Sequence, residues 1–317
     1  MKRKQFLLVI VSVLIFAALL TGCGTTETDN QNEAQPEPST RVFAHYMGET
    51  EIPVEPKRVI ALDYVGHVLA AGVVPVGVNN WNLDNPYFQP YFAGVEGLGE
   101  DEPNLEKILS LKPDLILGAE WNEEIYEDLS KIAPTVLIPW MEHDVNEHLA
   151  IVADVLGKQA EAEAWLKSFE DLAQQKSQEM RNYVAEDETV LIFRIYPDSF
   201  SVYGDRNMGH VFYRGLGLTP PQGIQELIGD EVGKLNQHKI SLEVLPEFSG
   251  DHLIVMVNDL AEAETQLAEI QKTMLWQNLP AVQNDKVYYI ERGQWLSYDP
   301  VSIMGQLEDA VGLFKDE

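Results

Sequence analysis

The chain reads as an α/β protein of two lobes with largely parallel sheets, joined by a long single helix. Three observations predict this. Short apolar runs alternate with helical stretches at βαβ spacing in both halves of the chain. Between the halves lies residues 145–184, which contain no Pro and a single Gly, Gly157. One phrase is also written twice. Residues 104–117 (NLEKILSLKPDLIL) and 241–255 (SLEVLPEFSGDHLIV) each open on a capping residue followed by Leu-Glu. Each closes on an apolar run introduced by an Asp eight residues after the Glu. A repeat with one copy per half is what two similar lobes would show.

The chain opens on MKRK, a basic start, followed by an apolar run over residues 6–20 broken only by Ser12. Leu20-Thr21-Gly22-Cys23 then supplies small residues at a cleavage point, so residues 1–22 read as a signal peptide. The apolar run is marginal for a membrane span. Cys23 is the chain's single cysteine, so no intrachain disulfide can form. An ordinary cleaved leader with an incidental Cys, or an anchor that is never cleaved, are the other readings of these residues. Residues 23–40 are polar, contain Pro and lack large apolar side chains, and so read as a flexible tether.

The folded part divides into a first lobe (41–157), a bridging helix (158–184) and a second lobe (185–317). In the first lobe, residues 41–54 form a hairpin turning near Gly48. Residues 58–62 (RVIAL) and 75–78 (PVGV) are short strands, with a helical stretch between them ending at Gly72. Residues 104–111 form a helix with Asn104 as N-cap, and 114–119 a buried strand. A helix over 122–132 and a strand over 135–140 (TVLIPW) follow. Leu149, Val152, Ala153, Val155 and Leu156 have the spacing of a packed helix. Residues 158–184 are rich in Ala, Glu, Gln and Lys, strong helix formers. That helix would be about 40 Å long at ~1.5 Å per residue, and could lie within one domain or bridge two. Beyond it, strands are expected at 189–195, 200–204, 252–257 and 286–291, and helices at 207–216, 241–248, 261–272 and 301–315.

The full chain carries a net charge of −29, and loss of the leader removes Lys2, Arg3 and Lys4 and deepens it. That excludes nucleic acid and an anionic membrane surface as partners. Solubility accounts for most of the acidity, and any Arg in a cleft becomes informative. No GxxxxGK[ST], HExxH or GxSxG occurs, so no enzyme class is indicated. The histidines are His45, His67, His143, His148, His210, His238 and His252. They are scattered, and the five-residue gap from His143 to His148 suits one helix face poorly, so no resident metal is expected.

The leader ending in LTGC, PKRVIAL (56–62), AAGVVPVGV (70–78), the 104–117 phrase, the helical bridge, YGD (203–205) and LPAVQNDKVYYI (279–290) together resemble a known family. They look like the class III substrate-binding lipoproteins of bacterial ABC importers, and more narrowly the ferric-siderophore binders of Gram-positive bacteria. The resemblance covers nearly the whole mature chain. It implies a class III periplasmic-binding-protein-like fold, with a shallow cleft, a rigid bridging helix and little closure. It implies a monomer acylated at Cys23 on the outer face of the cytoplasmic membrane. The ligand would be an iron(III)–siderophore, with iron held by the chelate and no cofactor. A permease dimer with a separate ATPase would receive it. Haem, cobalamin or bare Zn/Mn ions are the alternative ligands within this superfamily.

The resemblance gives the twin glutamates, Glu106 and Glu243, a role as permease-docking residues. The plainer reading is that Glu in a first helical turn suits the helix dipole. For the ligand, Arg forks donate to chelate oxygens and aromatic faces cover an organic scaffold. In the second lobe this selects Arg194, Tyr203 and Arg206, then Arg292, Trp295 and Tyr298 in a loop. Arg194 interrupts an apolar strand and needs a partner, either ligand or a local Asp. Met208 and His210 read as packing and surface residues. In the first lobe, Tyr64, Trp81 and Trp121 stand at strand ends, where each could equally cap core. The small number of basic candidates, beside several aromatics, favours a hydroxamate-type or mixed hydroxamate–carboxylate chelate over a highly anionic catecholate.

Overall fold

The structure, a computed structural model, describes residues 39–100, 102–258 and 260–315. The leader, Cys23 and all but the end of the tether lie outside the described residues. Thr40–His45 (β1) and Gly48–Pro53 (β2) pair antiparallel with His45 opposite Gly48, as the hairpin reading requires. Gly48 sits at φ 116, which a side chain would resist.

Five strands build the first lobe: Val59–Ala61 (β3), Gly77–Val78 (β4), Glu96–Gly97 (β5), Leu115–Ala119 (β6) and Thr135–Ile138 (β7). Their order is β5-β4-β3-β6-β7 and every pairing is parallel. β3, β6 and β7 are buried throughout, which is why they read as apolar runs rather than alternating ones.

Val190–Ile195 (β8), Phe200–Tyr203 (β9), Gln237–Ile240 (β10), His252–Val257 (β11) and Val287–Glu291 (β12) form the second sheet, ordered β10-β9-β8-β11-β12. Here β8, β11 and β12 are parallel, but β9 pairs antiparallel with both of its neighbours, β8 and β10. The cause is local. Tyr196 N–H donates to the Ser199 carbonyl at 2.9 Å, closing a tight turn too short for a parallel crossover. Position by position the two sheets correspond, with β6 and β11 as equivalents. Each follows one copy of the repeated phrase.

Two expected helices differ in type. Residues Leu242–Phe248 are a 3₁₀ helix, because Pro246 inside it offers no N–H to an α ladder. His210–Gly215 is a π-helical turn rather than part of an α-helix over 207–216. The Arg292–Trp295 segment, expected as loop, is a short helix.

Gln159–Met180 is the long helix, and it serves both lobes. Trp165 and Leu166 near its start pack on the core of the first lobe. Phe169, Leu172 and Ala173 further along pack on the core of the second. The closing helix, Pro300–Ala310, lies against Val65–Ala70 of the first lobe and against the long helix.

Candidate functional site

The residues that follow the parallel strands converge on one cleft. Asp63 and Tyr64 follow β3, Trp81 follows β4, Trp121 follows β6 and Trp140 follows β7. From the second lobe, Arg292 and Tyr298 follow β12. Open parallel sheets offer ligand sites at the carboxyl ends of their strands, and this cleft conforms. Its mouth has a volume of about 710 Å³ and is walled by Trp81, Asp84, Glu100, Trp140, Arg292 and Tyr298 among others. A recess of about 180 Å³ continues inward past Asp63, Tyr64, Trp121 and Asp299. The mouth falls in the range of small-ligand pockets.

Trp140 is the hub of the aromatic wall. Its ring lies 5.9 Å from Tyr64, 6.3 Å from Trp121 and 6.0 Å from Tyr298, and stacks on His148 at 5.3 Å. Trp81 and Trp121 each stand 56% exposed in the cleft. Tyr64 occupies a left-handed backbone position at φ 61 at the strand-to-helix turn, and its hydroxyl donates to the Ile138 carbonyl at 2.7 Å. Its ring therefore shapes the wall while its polar tip is committed to β7. Glu120 Oε2 accepts the backbone N–H of Trp140 at 2.8 Å, fixing the hub.

The recess holds two buried acids. Burial pushes the Asp63 carboxyl up to about 7, against the pull of the N–H donors of Ala119 and Trp121. Asp299 caps the closing helix by accepting from Ser302 N at 2.9 Å, and burial raises it to about 6. Gly66 is required beside it: a Cβ there would come within 1.7 Å of Asp299 Oδ1. Behind the aromatic wall, burial holds His148 down to about 4 and His210 to about 3, with His67 well below its ordinary value.

Four of the sequence candidates take other places. Trp295 is buried, stacked on Phe212 at 5.2 Å, so the expected exposed loop Trp is a core residue. Its helical turn faces it inward. Arg206 is fully buried. Its Nη1 donates to the His143 carbonyl at 2.7 Å and its Nη2 to the Trp140 carbonyl at 2.8 Å. Its guanidinium also lies 5.5 Å from the Trp140 ring and 4.8 Å from Tyr298, so it supports the cleft floor from beneath. Arg194 is buried in β8, donating to the Tyr203 hydroxyl at 3.0 Å and to Asn258 Oδ1 at 2.7 Å, with Tyr196 beneath its guanidinium. Its protein partners are thus neutral side chains rather than a local Asp. Tyr203, likewise buried, is committed to that pair. His210, read as a surface residue, is buried as well.

Tyr64, Trp81, Trp121, Arg292 and Tyr298 line the cleft. Sequence reasoning missed Trp140 and Asp63. Both follow parallel strands, and that position was the available signal. Glu106 and Glu243 are both exposed in first helical turns, one before β6 and one before β11. Among the described residues, no group of three or more His, Cys, Asp or Glu could hold a metal ion.

Two α/β lobes flanking an aromatic cleft, clasped by one long helix, are the architecture of a substrate-binding protein. Residues 59–292 match the periplasmic binding protein family, and the chain belongs to it. It is 29% identical over 315 residues to the iron(3+)-hydroxamate-binding protein YxeB of Bacillus subtilis, covering 96% of this chain and 95% of the relative. Among solved structures it is similar to an FhuD-fold periplasmic binding protein of a Bacillus subtilis ferrichrome transporter, with a TM-score of 0.76 and 28% identity. That match covers 87% of this chain and all of the other. Staphylococcus aureus SirA, solved with staphyloferrin B, matches with a TM-score of 0.72 and 27% identity over 86% of this chain and 98% of SirA.

Proposed function

We propose that this protein is the substrate-binding component of an ABC importer that captures an iron(III)–siderophore chelate of the hydroxamate type. The observation that carries this reading is the chemistry of the cleft walls. They present the rings of Tyr64, Trp81, Trp121, Trp140 and Tyr298 and one guanidinium, Arg292, beside the carboxyl groups of Asp63, Asp84, Glu100 and Asp299. Flat apolar rings suit the organic scaffold of a chelate. A wall this poor in cations suits a ligand of little negative charge, as a ferric trihydroxamate is, and disfavours a tris-catecholate. The hydroxamate binder YxeB among the relatives supports the same class.

The test is a titration of the protein's tryptophan fluorescence. Trp81, Trp121 and Trp140 all border the cleft, so an iron chelate seated there quenches them. Ferric trihydroxamates should quench at submicromolar concentration, and ferric catecholate, haem, cobalamin and Zn²⁺ should not. Quenching by Zn²⁺ alone, or by haem or cobalamin alone, overturns the reading.

Delivery belongs to the same proposal. Glu106 and Glu243 dock the loaded protein on a two-subunit permease served by a separate ATPase, with Cys23 as the lipid anchor outside the cell. Glu106→Arg combined with Glu243→Arg should abolish iron uptake by cells and leave chelate affinity within about twofold. Loss of affinity in the purified variant would refute this division of labour.

A further inference from the structure

Asp63 and Trp121 follow β3 and β6, which are adjacent strands of the first sheet. Asp63 is 6% exposed, and its Oδ2 accepts from Ala119 N at 3.2 Å and from Trp121 Nε1 at 3.1 Å. The first of these bonds is duplicated, because Ala119 N also donates to Asn122 Oδ1 at 3.0 Å. The second is not. The particular work of the buried carboxyl is therefore to receive the indole N–H. Burying an ionisable group is costly, and the fold alone does not call for one here. Trp121 meanwhile keeps more than half its surface exposed, with its ring plane tilted 57° to that of Trp140. A side chain so exposed samples several rotamers unless something holds it, and a ligand that must order it loses affinity.

We propose that Asp63 is a positioning residue for ligand binding: through the indole N–H it holds Trp121 as a preformed wall of the cleft. The proposal rests on the reading of the cleft as a chelate site. It makes affinity depend on an acceptor at position 63, and only by way of Trp121.

The experiment is a double-mutant cycle on the full chain, with a neutral ferric trihydroxamate as probe. Asp63→Ala should weaken binding about tenfold, the scale of one hydrogen bond to a charged group. Asp63→Asn keeps a carbonyl acceptor and should recover most of that loss. Trp121→Phe keeps a ring but has no N–H to donate, and should lose about as much as Asp63→Ala. Adding Asp63→Ala to Trp121→Phe should then cost nothing more. Losses that multiply in the double variant overturn the proposal, as does Asp63→Asn binding no better than Asp63→Ala. The wild-type protein supplies a second readout, needed where Asp63→Ala fails to fold. With ¹⁵N-tryptophan labelling, the Trp121 indole N–H, identified by its loss in Trp121→Phe, should exchange slowly with water. Fast exchange overturns the proposal. Failure of the wild type to bind any chelate defeats the chelate reading instead, and slow indole exchange would still uphold the positioning contact.

Discussion

Arg206 shows how a buried charge can serve a binding site without touching a ligand. Its two terminal nitrogens satisfy the carbonyls of His143 and Trp140, at the end of the first lobe's sheet, while its plane lies against Trp140 and Tyr298. Alanine there would leave two carbonyls without donors and a hole under two wall residues. Arg206→Ala should lower stability by about 3 kcal/mol, seen as a reduced urea midpoint at unchanged slope. Arg206→Lys should recover less than half, since an ammonium cannot serve both carbonyls as a planar fork does. Full recovery by Lys would show that charge, not geometry, matters. The sequence announced that Arg194 needs a partner, and the buried Arg194 and Arg206 both have partners. What a one-dimensional string does not contain is which partner. Backbone carbonyls 60 or more positions away leave no mark on it. Trp295 fails for the same reason: exposed in a loop and buried in a helical turn look identical until the fold decides which side faces Phe212.

Among the elements, the repeated phrase has a structural meaning beyond its glutamates. Asp114, just before β6, accepts from Lys57 N at 2.7 Å and Arg58 N at 2.8 Å, where the chain enters β3. Asp251, just before β11, accepts from Thr189 N at 2.8 Å and Thr189 Oγ1 at 3.0 Å, where the chain enters β8. In both lobes, then, the Asp clips the start of the neighbouring strand and sets its register. Register matters here because a one-residue slip turns a strand's side chains to the opposite face. Asp114→Ala and Asp251→Ala should each cost about 2 kcal/mol in chemical unfolding and leave chelate affinity unchanged. An affinity loss with normal stability would contradict a purely structural clip. β6, β8 and β11 were legible as continuous apolar runs, and the long helix as an unbroken stretch of strong helix formers. β5 and β10 were not: β5 has two residues, and β10 (QHKI) buries only Ile240, so neither carries an apolar run. The antiparallel turn into β9 depended on a 2.9 Å bond within a tight loop. No longer-range pattern encodes it.

For the whole molecule, the lobes are tied together at several points besides the helix. Arg206 reaches across to the 140–143 segment, Arg214 pairs with Asp144 at 3.3 Å, and Asn85 donates to Ser297 at 3.2 Å and Ser302 at 3.0 Å. These ties run beneath the cleft, and the buried histidines and acids lie among or beside them, so protonation bears on the stability of the whole. His148 and His210 are held near 4 and 3 by burial, well below an unfolded value of 6.5. Unfolding takes up protons at these groups between about pH 6.5 and 4, so their contribution is lost as the pH falls. Asp63 and Asp299 are held near 7 and 6, above an unfolded value of 3.8. Their contribution is complete below about pH 4 and is lost as the pH rises through those values. The two sets oppose each other between about pH 4 and 6.5 and flatten the profile. Asp63→Asn removes one opposing proton and preserves shape. Relative to the wild type, its stability should therefore fall by about 1 kcal/mol for each unit of acidification from pH 7 to 4. Above pH 7 the variant should be the more stable of the two, because it buries no charge. Urea midpoints across this range decide the matter. Parallel profiles for the two proteins would mean that Asp63 ionises in the fold much as it does in water, and that the recess is wetter than its walls imply.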